Sequence, residues 1–258
     1  MAARVAELAS WRNLDRALGP ECLRIASYNV HRCVGGDGRS DAARIARVIE
    51  ETGCDTIGLQ EVDNRSDGRH DSLQLDFLAA ANGMQAVAGH TIVRHEGEYG
   101  NALLTRRPVL AVRRHELTFG RCEPRGALEV DLDVAGRLMR VVVTHLGLRP
   151  AERRFQVRRM LRLLHDIPPA QTVLVLGDIN EWLPLGRPLR WMHGILGHAP
   201  GERSFPARWP LFALDRVWVR PRHALLAFGV HRSATARIAS DHLPVKAIVA
   251  GAEHHAGG

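Results

Sequence analysis

Short apolar, β-branched runs follow one another along this chain, and they limit what it can fold into. LRIASYNV (23–30), TIGLQEV (56–62), MQAVAG (84–89), GNALLTR (100–106), VLAVRRHEL (109–117), ALEVDLDV (127–134), LMRVVVTHL (138–146) and TVLVLGDIN (172–180) read as strands. LDRVWV (214–219), LLAFGV (225–230) and LPVKAIVA (243–250) complete the series. Most consecutive runs are close enough to pair antiparallel, and Ala135-Gly136 marks a hairpin turn. Helices are few. Ser40 and Asp41 offer caps for one that carries Ala43, Ile45, Ala46, Val48 and Ile49 at helical spacing and closes at Gly53. A second fits Leu73 to Ala81, ended by Asn82-Gly83, and a short one fits Pro188 to Leu196. A third, over 150–166, puts Phe155, Met160, Leu161 and Leu164 on its apolar side and crowds arginine onto the other. That arginine face is either solvated or a docking surface for an anionic membrane. The pattern predicts an α/β (α+β) protein whose helices cover two packed, mostly antiparallel sheets.

Length alone allows one large domain or two small ones at 258 residues. With no low-complexity linker and no repeat, the expectation is a single domain over 23–250. A helical or frayed leader over 1–22 precedes it, and a disordered tail over 251–258 follows. No apolar stretch is long enough for a transmembrane segment, and the opening residues lack the apolar region of a secretory signal. Cys22, Cys33, Cys54 and Cys122 form no C-x-x-C pair, so neither a disulfide framework nor a zinc site is expected, and a reducing cytoplasm is the expected location. The net charge of +7 permits a phosphate-bearing partner such as nucleic acid. Yet Lys246 is the sole lysine, and an excess made of arginine reflects genome composition at least as well.

The polar residues at the strand ends are the second regularity. Asn29, Glu61, His145, Asp178 with Asn180, Asp215, and the trio Ser240-Asp241-His242 all interrupt, end or precede apolar runs. One such residue is a cap or a turn; the same event repeated with carboxylate, carboxamide or imidazole suggests a site built on rigid strand ends. Glu61 and Asn29 supply hard oxygen atoms suited to Mg2+ or Mn2+. Asp178 and Asn180 either close a core strand as a polar turn or orient an attacking water. His145 and His242 offer positive charge or hydrogen bonds to a phosphate in reaction. No serine or cysteine sits in a nucleophile elbow, so the set suits metal-assisted attack of water on a phosphoester.

In this order, SYN, LQEV, YGNALLT, THLGL, GDIN and SDHLPV resemble the endonuclease/exonuclease/phosphatase, or DNase-I-like, superfamily over about residues 23–249. The resemblance implies a four-layer α-β-β-α sandwich and a divalent-metal-dependent phosphoesterase. It implies Glu61 as principal metal ligand assisted by Asn29, with Asp241 at the metal or its water. Asp178 would position or deprotonate the attacking water, with Asn180 beside it at the phosphate. His242, paired with Asp215, would contact the scissile phosphate, and His145 would stabilise its oxygens. Asn101 matches a position that contacts substrate. His31 and Arg125 are each either substrate contacts or surface residues.

The phrases THLGL, GDINEW and SFPARWPLFALDRVWV resemble a small bacterial branch related to the hydrolase domain of GPI-anchor lipid remodelling proteins. That favours a small or lipid-linked phosphodiester. The loop 201–213 is either an apolar rim over the site or core packing beneath Asp215. A DNA endonuclease or exonuclease is the alternative, favoured by the basic charge and opposed by the 5% aromatic content. A catalytically inactive binding module would not need the full set of Asn29, Glu61, Asp178, Asn180, Asp241 and His242.

Overall fold

The computed structural model describes residues 18–65, 73–94 and 97–251. The leader expected over 1–22 lies outside them up to residue 17, as does the tail beyond Gly251. In chain order the strands are β1 (Cys22–Asn29), β2 (Thr56–Arg65), β3 (Gln85–Arg94), β4 (Gly97–Thr105), β5 (Val109–Glu116) and β6 (Gly126–Val134). After them come β7 (Arg137–His145), β8 (Thr172–Asp178), β9 (Asp215–Arg220), β10 (Leu225–Val230) and β11 (Val245–Ala250). The helices are α1 (Ala42–Thr52), α2 (Gln74–Asn82), α3 (Pro150–His165), α4 (Arg187–Leu196) and the short α5 (Ala236–Ala239).

The strands form a six-stranded sheet in the order β10-β11-β1-β2-β4-β3 and a five-stranded sheet in the order β5-β6-β7-β8-β9. Pairing is antiparallel except between β1 and β2 in the first sheet and between β7 and β8 in the second. Those two exceptions place the site. Parallel neighbours finish at the same edge, so Asn29 stands beside Gln60 in register and His145 beside Asp178. β9 runs the other way and begins where β8 ends, with Asp215 opposite Asp178. The polar strand ends of the sequence therefore converge on one end of the molecule.

The central strands are buried on both faces, which is why they read as unbroken apolar runs. In β8, Leu174 and Leu176 face the core between the sheets, while Val173 and Val175 face α3 and α4 together with Val157, Met160 and Met192. In β9 the same alternation separates Val217 and Val219 from Trp218. The same cluster extends through the six-stranded sheet to Ile45 and Ile49 of α1 and Leu75 and Leu78 of α2 on its far side, so helices cover both outer faces. The sheets approach closely at Gly58 of β2, where an added Cβ would lie 2.3 Å from Leu176 Cδ1. A side chain there would have to push Leu176 aside.

Local signals act as the sequence indicates. Asp41 caps α1 by accepting the Arg44 N–H at 2.9 Å, and Gly53 ends it in the left-handed region at φ 66. Ala135 and Gly136, at φ 53 and 80, form the tight β6–β7 turn. All four cysteines are free. The second helix begins one residue later than its pattern suggests, because its cap is not local: Asn64 Oδ1 on β2 accepts the Leu75 N–H at 2.9 Å. On α3 the expected apolar face needs correction. Phe155 is only half-buried, against Phe119 at 5.2 Å, whereas Glu152, Arg153 and Gln156 are buried with Val157 and Met160.

Candidate active site

Asp178 is the last residue of β8; the strand reaches it through Gly177 and ends two residues short of the run that the sequence suggests. Gly177 has φ 149, and an added Cβ would lie 1.8 Å from the Thr144 carbonyl oxygen of β7, so glycine keeps the strand paired up to the carboxylate. Asn180 follows in the left-handed region at φ 51 and donates its backbone N–H to Asp178 Oδ1 at 2.9 Å. The segment is thus a polar turn, and the turn leaves Oδ2 aimed at other groups. Asn29 Nδ2 donates to Oδ2 at 3.1 Å, and the Nε2 atoms of His145 and His242 each lie 3.5 Å from it. Burial pushes the Asp178 carboxyl up to about 6, against the opposing pull of the His242 charge.

The two histidines are held in opposite states. His242 Nδ1 lies 2.9 Å from Oδ2 of the fully buried Asp215, which also accepts from Ser204 Oγ at 2.5 Å. Burial alone would discharge this imidazole, but the carboxylates of Asp215 and Asp178 outweigh it and hold the ring up to about 10. His145 lies well below the ordinary range because it is buried and faces the positive charges of Arg125 and His242. Arg125 Nη1 is 3.0 Å from His145 Nδ1, and a guanidinium only donates, so the neutral ring carries its proton on Nε2. Asn180 Nδ2, 3.1 Å from that Nε2, also donates to the Leu146 carbonyl at 2.9 Å, which fixes the orientation of the amide. The Asp178 carboxylate is then the acceptor facing the His145 N–H. Of the two cations that the sequence offered, the geometry keeps one, on His242.

Glu61 comes from the neighbouring sheet. The β2–β4 pairing shifts register between Leu59 and Val62, and Glu61 sits in this bulge at φ 61, a strained position for a glutamate. Asn29 Nδ2 donates to its Oε1 at 3.1 Å, while Asn29 Oδ1 accepts the His31 N–H at 3.0 Å. Asn29 therefore orients both Glu61 and Asp178. Among the described residues no group of three or more His, Cys, Asp or Glu converges into a closed metal cage. One half-buried carboxylate with an amide beside it fits a cation that keeps most of its water, as Mg2+ does, and a divalent metal is the cofactor that the family implies.

The other expected residues border this centre. Asp241 is part-exposed with its Oδ1 3.9 Å from His31 Nδ1, and the loop that carries it is tied to β1 by Ser240 Oγ, which donates to the Asn29 carbonyl at 2.7 Å. His31 itself sits in a left-handed turn at φ 47 and is half-exposed. Asn101 is buried, and its amide donates to the Gly126 carbonyl at 3.0 Å, joining the two sheets beside Glu61 and Arg125. Arg125 is not a surface arginine: it is buried with its Nε unpartnered. Sequence reasoning missed Ser204 and the buried pair behind Asn180, where Arg153 Nε meets Glu181 Oε2 at 3.2 Å. The signal for that pair was Glu181 directly following the site, opposite an arginine-rich helix. In the 201–213 loop the Phe205 ring lies 4.8 Å from the His242 ring, tilted by 47°, while Trp209 and Leu211 stand in solvent.

The family model described as the Endonuclease/Exonuclease/phosphatase family matches residues 26–242, which include nearly all of these groups. Over 217 residues the chain is 30% identical to the Escherichia coli K12 protein YbhP, itself uncharacterized, covering 81% of this chain and 84% of that one. A solved endonuclease/exonuclease/phosphatase from Beutenbergia cavernae superposes with a TM-score of 0.70 at 24% identity, covering 90% of this chain and 72% of that one. The mannosyl-6-phosphatase of Bacteroides thetaiotaomicron superposes at 0.68 with 18% identity, covering 88% and 99% respectively. At such identities the structural likeness carries the DNase-I-like fold, and the sequence match carries the family. The chain belongs to the endonuclease/exonuclease/phosphatase family, whose members hydrolyse phosphoester bonds.

Proposed function

We propose that the protein is a divalent-metal-dependent phosphodiesterase that cleaves its substrate by in-line attack of water. The observation that carries this reading is Asp178 Oδ2, a carboxylate oxygen held at one point between Asn29, His145 and His242. A carboxyl poised near neutrality accepts a proton from water more effectively than one held at the ordinary acidic value. The attacking oxygen then loses its proton to Asp178 as it bonds to phosphorus, while the ester P–O bond opposite it breaks and the departing alkoxide takes a proton from solvent. His242, kept cationic by Asp215, faces the charge that builds on the phosphoryl oxygens. His145 and Asn180 fix the position of Asp178, Asn101 and Arg125 line the wall beside Glu61, and His31 stands near Asp241 as a further substrate contact. Glu61 would hold Mg2+ or Mn2+, with Asn29 orienting it and Asp241 at the metal's water shell. Bound there, the cation supplies Lewis-acid stabilisation of the phosphoryl charge.

A small or lipid-linked diester is favoured over DNA by the GDINEW and SFPARWPLF segments, whose apolar residues stand beside the site. The net charge of +7 supports the nuclease alternative. The experiment is hydrolysis with purified protein and Mg2+ or Mn2+, with Asp178→Asn as control. It compares supercoiled plasmid, single-stranded DNA, phospholipid and a bis-aryl phosphodiester. Cleavage of the aryl or lipid diester with plasmid intact supports the proposal. Nicking that the variant loses selects the nuclease, and no metal-dependent hydrolysis of any substrate overturns both.

A further inference from the structure

Two apolar segments project beside the candidate site. Trp182, Leu183, Pro184 and Leu185 follow the buried Glu181, one residue beyond Asn180, and are all exposed. Trp209, Leu211 and Phe212 are the exposed tip of the 201–213 loop. Leu183 is 67% exposed, Leu185 81%, Trp209 71% and Leu211 60%. The segments form one platform: the Trp182 ring lies 4.8 Å from Phe212 and 5.7 Å from Phe205, and Phe205 is held to Phe212 through paired backbone bonds. Water-exposed proteins seldom leave this much contiguous apolar surface without a partner. Two of the chain's five tryptophans are spent on it.

The two segments carry mostly positive charge. Residues 182–201 and 203–214 contain no aspartate or glutamate. Arg187, Arg190, Arg203 and Arg208 are exposed along the same stretches, and the intervening Glu202 pairs with Arg232 at 3.4 Å. Tryptophan and leucine at projecting tips, with exposed arginines along the same segments and the one acid of the loop already paired, are the chemistry of an interface between hydrocarbon and anionic headgroups.

We propose that this platform docks the protein on the surface of an anionic phospholipid bilayer. The contact is peripheral, since among the described residues no helix is long and apolar enough to cross a membrane. Phe205 joins the platform to the His242 ring, so docking brings the candidate site to the level of the lipid phosphates. The surface differs from the arginine face of α3, part of which is turned inward at Arg153. Docking stands independently of the chemistry. The consequence that the substrate is a phosphodiester within a lipid headgroup rests on the phosphodiesterase reading.

The test is sedimentation of the full chain, without metal, with vesicles of phosphatidylethanolamine and phosphatidylglycerol in equal parts. Phosphatidylcholine vesicles are the comparison, and tryptophan emission is recorded in parallel. Leu185→Glu and Trp209→Ser are the variants, because both side chains stand in solvent and their loss leaves the core intact. The expected result is binding to the anionic vesicles with a blue shift in emission. Each variant should bind about tenfold more weakly, and Asp178→Asn should bind like the wild type. If the diester reading also holds, the variants keep hydrolysis of a soluble aryl diester and lose that of vesicle lipid. Docking with no hydrolysis even after Mg2+ or Mn2+ is added would support the surface and remove the enzyme reading. Failure of the wild type to bind, or binding unchanged in both variants, overturns the proposal. So does a dimer in sedimentation equilibrium that the same variants disperse, which would assign the platform to a second copy of the chain.

Discussion

The Nδ1 atom of His242 lies 2.9 Å from Oδ2 of Asp215, in a place where neither side chain reaches solvent to any useful extent. Burial opposes the imidazolium, and the two neighbouring carboxylates, Asp215 first, more than offset it. In metal-free protein, NMR titration should therefore find His242 protonated up to about pH 10. Asp215→Asn should lower that midpoint by at least about one unit. The sign for stability follows from a raised folded value. The contribution is fully present below the ordinary 6.5 and is lost as pH rises through about 10. A midpoint near 6.5 in the wild type would refute the pairing.

Asp178 gives the complementary limb. Its carboxyl is pushed up to about 6, chiefly by burial, so the active carboxylate form is lost as pH falls through that value. The rate on the cleaved substrate should decline below about pH 6, and Asp178→Asn should lower kcat by about 100-fold or more with KM little changed. A variant that keeps the wild-type kcat would place the base elsewhere.

Behind the site, Arg153 and Glu181 are a buried pair with side chains 5% exposed on each side. Arg153 also donates to the Gly147 and Leu148 carbonyls, so its removal strands three acceptors at once. Arg153→Met should cost about 3–5 kcal/mol in urea unfolding. Replacing Arg159, which is exposed on the same helix, should cost less than about 0.5 kcal/mol. Equal effects from the two would mean that the pair is not buried in solution.

Gly177→Ala tests how closely β8 holds Asp178. The new methyl would meet the Thr144 carbonyl at 1.8 Å in a region of backbone space that suits only glycine. A loss of about 3 kcal/mol or more in stability is expected, with kcat falling as well because the carboxylate shifts. Thermal unfolding and steady-state kinetics on the same sample separate the two effects.

The strands were legible because burial on both faces leaves a continuous apolar trace, as in Val173–Leu176 and Val141–Val143. Polar ends such as His145 and Asp178 were legible because they break that trace. Arg153 was not, since an arginine turned inward on α3 is indistinguishable in sequence from Arg158 or Arg159 on the outer face. Arg125 was hidden for the same reason, and its burial depends on His145, twenty residues away. Ser204 was invisible because its partner, Asp215, is fixed by tertiary contact rather than by helical or strand spacing. The need for glycine at 177 was hidden as well, because nothing local shows that Thr144 lies against it.

Asn29 and Glu61 stand on one sheet, and Asp178 and His145 on the other, with the Leu176–Gly58 contact lying between the sheets below them. The hydrocarbon seam therefore works as a caliper, and its thickness sets the gap across which the Asn29 amide reaches Asp178. A side chain added at Gly58 would open the jaws without touching a single polar group. Selection on chemistry at the tip of this molecule is thus also selection on the size of residues buried two or three positions beneath it.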